Sequence, residues 1–200
     1  MIVVSNILTA GFEPAIRASR NPMSSWDKSD SKGDTIGDID MDLCKRLTRA
    51  GVEHRTFLRM MIVWMDVTAP LYLWKEFDRY TVGKAQVSTS TMHTIHKKEF
   101  TLDDFSTDRM SDRMVASLQA LIEDLNISRR QYLENKDKRD WWDMIQILPT
   151  SYNQKRTVMM SYEVCLKIIK ERHDHRLDEW QEFCWALRRL PLMEQFVSCL

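Results

Sequence analysis

The chain has 200 residues, 44% hydrophobic and 29% charged, a balance that suits one folded domain with its own core and excludes global disorder. Twenty-nine basic residues offset twenty-nine acidic ones, so no whole-protein field draws nucleic acid or an anionic membrane, and any anion site has to be a local pocket. Cys44, Cys165, Cys184 and Cys199 lie far apart with no Cys-x-x-Cys pair, which fits reduced thiols in a cytoplasmic protein rather than a disulfide framework or a zinc site.

Residues Met1 to Ala10 are apolar but lack the basic start and cleavage site of a secretion signal, and no stretch approaches the roughly 20 apolar residues of a membrane span. Glu13 to Ser19 reads as a short helix. Asn21-Pro22 and the run from Ser24 to Asp34 are rich in turn formers, so residues 24–38 read as a polar, mobile loop. Asp38 to Ala50 carries Ile39, Leu43, Leu47 and Ala50 on one face, acidic residues in the first turn and Gly51 just beyond, the pattern of an amphipathic helix with a glycine stop.

From Phe57 to Asp66 the chain is almost continuously apolar, which predicts a buried strand, although periodicity alone leaves a helix open. Thr68 then caps, and Pro70 opens, a helix whose Leu71, Trp74 and Phe77 face the core. The small polar stretch from Gly83 to Thr91 reads as a loop. Asp108 to Asn126 has apolar residues at helical spacing (Met110, Met114, Leu118, Leu121, Leu125) and predicts a long helix, with a second helical segment from Tyr132 to Ile145 that Leu148-Pro149 closes. A short strand is expected over Lys155 to Met160, followed by helices from Ser161 to about Arg172 and from Leu177 to Leu190, the last ended by Pro191.

One stretch is unusually specific. Thr68-Ala69-Pro70-Leu71-Tyr72-Leu73-Trp74-Lys75-Glu76-Phe77-Asp78-Arg79-Tyr80 leads into Gly83 and then Ser88-Thr89-Ser90. It resembles the signature region of the flavin-dependent thymidylate synthases (the ThyX family), in which an apolar strand runs into Ala-Pro, an aromatic helix follows, and then comes Arg-His-Arg-x-x-Ser-x-Asn-x-x-Ser-x-Arg. Further segments follow the family's order over nearly the whole chain. Leu47 to His54 resembles its Leu-x-x-x-Gly-His, Leu148-Pro149 its Leu-Pro, Ser161 to Arg172 its late helix, and Asp178-Glu179-Trp180-Gln181 its Ala-Gln-Trp-Glu.

The resemblance implies an α+β fold, mostly helical by residue count, in which one ThyX-like domain over residues 1–200 holds a mainly antiparallel sheet flanked by helices. It also implies a homotetramer with a nucleotide between subunits. The departures concern the cofactor. Asp78-Arg79-Tyr80 stands where the family has the Arg-His-Arg that clamps flavin. Gly83, Ala85 and Ser90 replace the later Ser, Asn and Arg, Ser161 and Glu163 replace the Asn and Arg of the late helix, and Ser88 and Arg172 are kept. Carboxylates in place of guanidinium forks oppose an anionic cofactor.

The expected function is therefore a nucleotide-binding protein that has lost the flavin-binding arginines and sequesters a small nucleotide, with no cofactor. The alternative is a divergent FAD-dependent thymidylate synthase or a related pyrimidine-modifying enzyme, with His54 as its proton shuttle. Candidate nucleotide contacts are Lys75, Arg79, Ser88, Ser90, Arg156 and Arg172. Each also has a bland reading: hydroxyls capping a turn, or cations on a solvated face or at a helix end. His93-x-x-His96 and His173-x-His175 lack a third ligand at diagnostic spacing, so no metal is expected. Trp26, Trp141 and Trp142 could stack on a base or belong to a core.

Overall fold

The computed structural model describes residues 2–33 and 35–200. Met1 and Asp34, which fall in the apolar start and the polar run named above, lie outside the described residues.

The chain opens with strand β1 (Val3–Ala10) and turns at Gly11, whose φ of 90° favours glycine, into helix α1 (Phe12–Ser19). Added bulk at Gly11 would meet the Met60 carbonyl. Two 3-10 turns follow, at Asn21–Met23 and Trp26–Lys28, and helix α2 spans the expected Asp38–Ala50, but the face it buries is Asp40, Met41, Cys44 and Thr48, while Ile39 and Ala50 of the expected stripe are exposed. The polar segment before α2 is tied down by its carboxylates. Asp30 accepts the amide N–H groups of Ile39 and Asp40, two of the donors a helix start leaves unpaired. Fully buried Asp40 accepts Arg20 Nε at 2.5 Å and the hydroxyls of Ser29 and Ser31 at 2.7 and 2.6 Å.

The apolar run after Arg55 divides. Thr56–Arg59 forms a 3-10 turn, and strand β2 covers Ile62–Pro70, later than the sequence suggests. Thr68 is thus a strand residue and not a cap. Helix α3 (Leu71–Phe77) starts from Pro70, and its first amides donate to the carbonyls of Tyr152 and Thr150, so a backbone segment does the work of a capping side chain.

The expected loop after Gly83 is mostly strand β3 (Lys84–Ser88). Ser161 N–H donates to the Gly83 carbonyl, and Thr89 N–H donates to the Lys155 carbonyl. A short helix α4 (Thr91–Thr94) precedes the long α5 (Asp112–Asn135). Asn126 does not end α5. Its amide clamps Phe100 instead, donating to that residue's carbonyl and accepting its N–H, both at 2.9 Å. With this polar group satisfied sideways the helix runs on, so Tyr132 belongs to α5, which stops at Lys136 in a left-handed conformation. Helix α6 (Lys138–Gln146), strand β4 (Asn153–Ser161) and helices α7 (Tyr162–Arg172), α8 (Asp178–Arg188) and α9 (Met193–Val197) complete the chain. Ser161 caps α7 by accepting Val164 N–H.

The fold is α+β and mostly helical, with one open antiparallel sheet in the order β1-β2-β4-β3. Contacts divide it into two compact units. The first holds Val67–Arg79 and Val87–Arg156 with the chain start up to Val3, and the second holds Val4–Asp66, Tyr80–Gln86 and Thr157–Leu200. The first unit's core joins Leu118, Ile122 and Leu125 of α5 to Met144 of α6, with Ile95, Phe100 and Phe105. In the second unit α7 packs against α8 and α9, burying Ile168, Ile169, Phe183, Leu187 and Phe196. Among the described residues no helix is long and apolar enough to cross a membrane.

Candidate functional site

The sequence candidates fall into two groups. Lys75, Arg79, Ser88, Ser90 and Arg156 belong to the first unit, and His54 and Arg172 to the second.

In the first unit, Arg156 on β4 is held on three sides. Its Nη1 lies 2.8 Å from Asp78 Oδ1, its Nε donates to Gln154 Oε1 at 3.0 Å, and its guanidinium stacks on the Trp74 ring 4.4 Å from the centroid. Trp74 is fixed in turn, since its Nε1 donates to the Gln154 carbonyl at 2.9 Å. Gln154 also donates its side-chain amide to the Thr89 carbonyl. Lys75 and Arg79 do not share a helix: α3 stops at Phe77, Asp78 caps it, and Arg79 follows, both cations being exposed. Ser88 is exposed at the end of β3, whereas Ser90 caps α4 by accepting His93 N–H.

Arg172, in the second unit, is also engaged. Its Nε donates to the Tyr80 hydroxyl at 3.1 Å, and its guanidinium lies 5.0 Å from the Trp180 ring centroid. Tyr80 is buried and donates to Glu171 Oε2 at 3.0 Å. Burial pushes its hydroxyl above the ordinary range against the pull of Arg172. His54 is exposed in the 3-10 turn Val52–His54, 3.8 Å from Glu53.

A pattern connects the departures from the signature. Asp78, Tyr80 and Glu163, three residues standing where guanidinium or imidazole was expected, each face an arginine of this chain: Arg156, Arg172 and Arg55. Glu163 Oε1 lies 3.8 Å from Arg55 Nη1, and its Oε2 is buried with no hydrogen-bond partner among the described residues. Burial raises this carboxyl above its ordinary 4.5, and Arg55 and Arg59 pull it down.

Glu163 lines the site that reading the sequence missed, a cleft of about 480 Å³ in the second unit. Val52, Ile62, Val82, Met159 and Val164 make its apolar wall, while Arg59, Lys84 and Lys167 bring positive charge. Gly83 lets the turn approach α7. Its φ is 74°, and a Cβ there would lie 3.0 Å from Ser161 Oγ and 3.1 Å from Val164 Cγ2. Lys167 Nζ lies 3.9 Å from Glu171 and Lys84 Nζ donates to Gln86 at 3.5 Å, and an apolar surface bordered by such cations is chemistry that can take a planar ring carrying an anionic group. The sequence signal was the cluster of signature departures at Gly83, Ser161 and Glu163; nothing local marked Arg59 or Lys167. Among the described residues no group of histidine, cysteine and carboxylate side chains is placed to hold a metal.

No family model and no curated protein matches the chain. Solved structures do. A crystal structure of thymidylate synthase X (ThyX) from Helicobacter pylori with FAD and dUMP matches with a TM-score of 0.73 at 16% identity, covering 100% of this chain and 98% of that one. A second H. pylori ThyX structure, also with FAD and dUMP, gives a TM-score of 0.69 at 17% identity over 100% and 99%. The ThyX fold implied by the signature is therefore the fold of this chain.

Proposed function

We propose that this chain binds a small nucleotide on a ThyX-like scaffold without family-type use of flavin. The supporting observation is the second unit's cleft, where Arg59, Lys84 and Lys167 meet an apolar wall beside Gly83. In this reading the cations hold the phosphate and the wall holds the ring. Lys75, Arg79, Ser88, Ser90, Arg156 and Arg172 are the contacts that the resemblance adds, with pockets shared between subunits of a homo-oligomer. Asp78 does not suit a flavin pyrophosphate, because it sets a carboxylate where a guanidinium fork is expected, while Glu163, which lines the cleft itself, is offset there by Arg55 and Arg59. The arginines nearest those two carboxylates are already turned toward them.

The test is mass spectrometry of small molecules released on denaturing the freshly purified protein, followed by titration with dUMP and other nucleoside monophosphates. A nucleotide without flavin is expected, with affinity falling at least about tenfold in the Arg59→Ala, Lys84→Ala double variant, which removes two charge-assisted contacts. The reading is overturned if nothing is released and no nucleotide binds at millimolar concentration.

The second reading, a divergent flavin-dependent synthase, draws support from the full-length fold match to proteins solved with FAD and dUMP. It places His54 near the reaction and needs residues outside the signature to hold flavin. Stoichiometric flavin absorbance in the purified protein, together with rescue of a thymidine auxotroph, would establish it.

A further inference from the structure

We infer that Trp26 and Arg17 form a second binding site, independent of the cleft, for a planar aromatic base joined to a phosphate. Trp26 is half exposed, yet its ring is not loose. Its Nε1–H donates to Asn21 Oδ1 at 2.9 Å, so the indole has satisfied its polar group internally and offers an open face. The turn carrying it is clamped from below. Ser25 N–H donates to the Arg20 carbonyl, and Arg20 Nη1 donates to the Ser25 carbonyl. Arg20 itself is 4% exposed and ion-paired with Asp40, at 0% exposure. Because the buried pair orders the segment before any ligand arrives, little conformational entropy is left to lose on binding.

The surroundings define the ligand. Trp26 borders a hollow of about 470 Å³ with Pro14, Arg17, Ala18, Asn21 and Met60. Arg17, in the last turn of α1, is exposed and supplies the cation among the described residues of that lining. Met60 is 44% exposed and gives a second soft, polarisable surface. An indole face, a thioether and a guanidinium around one hollow suit a nucleobase stacked on Trp26 with its phosphate toward Arg17.

Adenosine 5′-monophosphate is the probe, titrated against the full chain and against the Arg59→Ala, Lys84→Ala double variant so that the cleft and this site are read separately. In the double variant, tryptophan fluorescence quenching persists, and the difference signal against Trp26→Phe assigns it to residue 26. Measured by calorimetry, since the fluorophore is then gone, Trp26→Ala in the double variant weakens binding at least about tenfold, as losing one base stack does. Trp26→Phe keeps part of it. Arg17→Ala weakens the monophosphate about tenfold and leaves adenosine, which has no phosphate, unchanged. The site is refuted if Trp26→Ala, or Trp26→Phe and Arg17→Ala should the alanine variant not fold, binds the monophosphate as the parent does. Loss of all binding in the cleft double variant also refutes a second site while leaving the cleft reading intact.

Discussion

Arg156 Nη1 lies 2.8 Å from Asp78 Oδ1 while the same guanidinium covers the Trp74 ring, so one cation closes a signature position and packs a buried aromatic. The two contacts have different weights. Asp78 is half exposed, and water screens its ion pair. Asp78→Asn should therefore cost under about 1 kcal/mol. Arg156→Ala should cost more, since it also removes a stacking contact of about 0.5–2 kcal/mol and leaves Gln154 Oε1 without its donor. Urea denaturation of the two variants checks the order.

Asp40 is fully buried and paired with Arg20, so Asp40→Asn should destabilise by about 3–5 kcal/mol, the cost of leaving a buried charge uncompensated. Burial alone would raise this carboxyl. The hydroxyls of Ser31 and Ser29 and the Arg20 guanidinium outweigh it and hold Asp40 below its ordinary value of 3.8. A depressed carboxylate stabilises the fold above its unfolded value. The contribution of Asp40 should thus persist down to about pH 4 and disappear as pH falls further, and acid denaturation of the parent and Asp40→Asn should converge there.

At high pH the sign reverses. Burial raises the hydroxyls of Tyr80, Tyr152 and Tyr162 above their ordinary 10.0. The folded state therefore keeps protons that the unfolded chain releases, and stability should fall as pH rises past about 10. Absorbance titration should show Tyr80, Tyr152 and Tyr162 ionising only on unfolding.

Burial also pushes the Cys44 thiol up to about 12 and that of Cys184 to about 11, and it raises Cys165 further. A thiol kept protonated and enclosed is a poor nucleophile. The native protein should react with an aromatic disulfide reagent at Cys199 alone and, once denatured, at all four cysteines.

Gly83→Ala tests the turn beside the cleft. The φ of 74° costs a residue with a side chain about 1–2 kcal/mol, and the new methyl group would press on Ser161 and Val164. A lower melting temperature and weaker nucleotide binding are expected together, whereas Lys84→Ala should weaken binding with little effect on melting.

How much of this was legible depended on whether the stabilising contact was local. The bounds of helix α2 were readable because its acidic first turn and Gly51 lie within one stretch, but its buried face was not, since Asp40 turns inward to meet Arg20, which comes from outside the helix. Strand β3 was not readable, since Lys84 to Ser88 is five residues long and its apolar Ala85 and Val87, though they alternate with polar neighbours, are exposed rather than buried, so the segment becomes a strand only by pairing with β4. Asn126 looked like a helix end because its partner, Phe100, is 26 residues away. The candidate site followed the same rule. The changed positions 78, 80, 83, 161 and 163 stood out against the signature, but the arginines that answer the carboxylates come from other elements, Arg156 on β4 and Arg55 beside a 3-10 turn.

The strand order carries a consequence for synthesis. Because β4 lies between β2 and β3, the ribosome makes an edge strand long before the neighbour it needs. The β3 ladder cannot form until Ser161 has emerged, so the nascent chain carries Lys84 to Ser88 unpaired through the making of α5 and α6. Late closure of this kind means slow, non-local folding and a long exposure of strand edges. This protein should lean on chaperones during translation more than its helical content suggests.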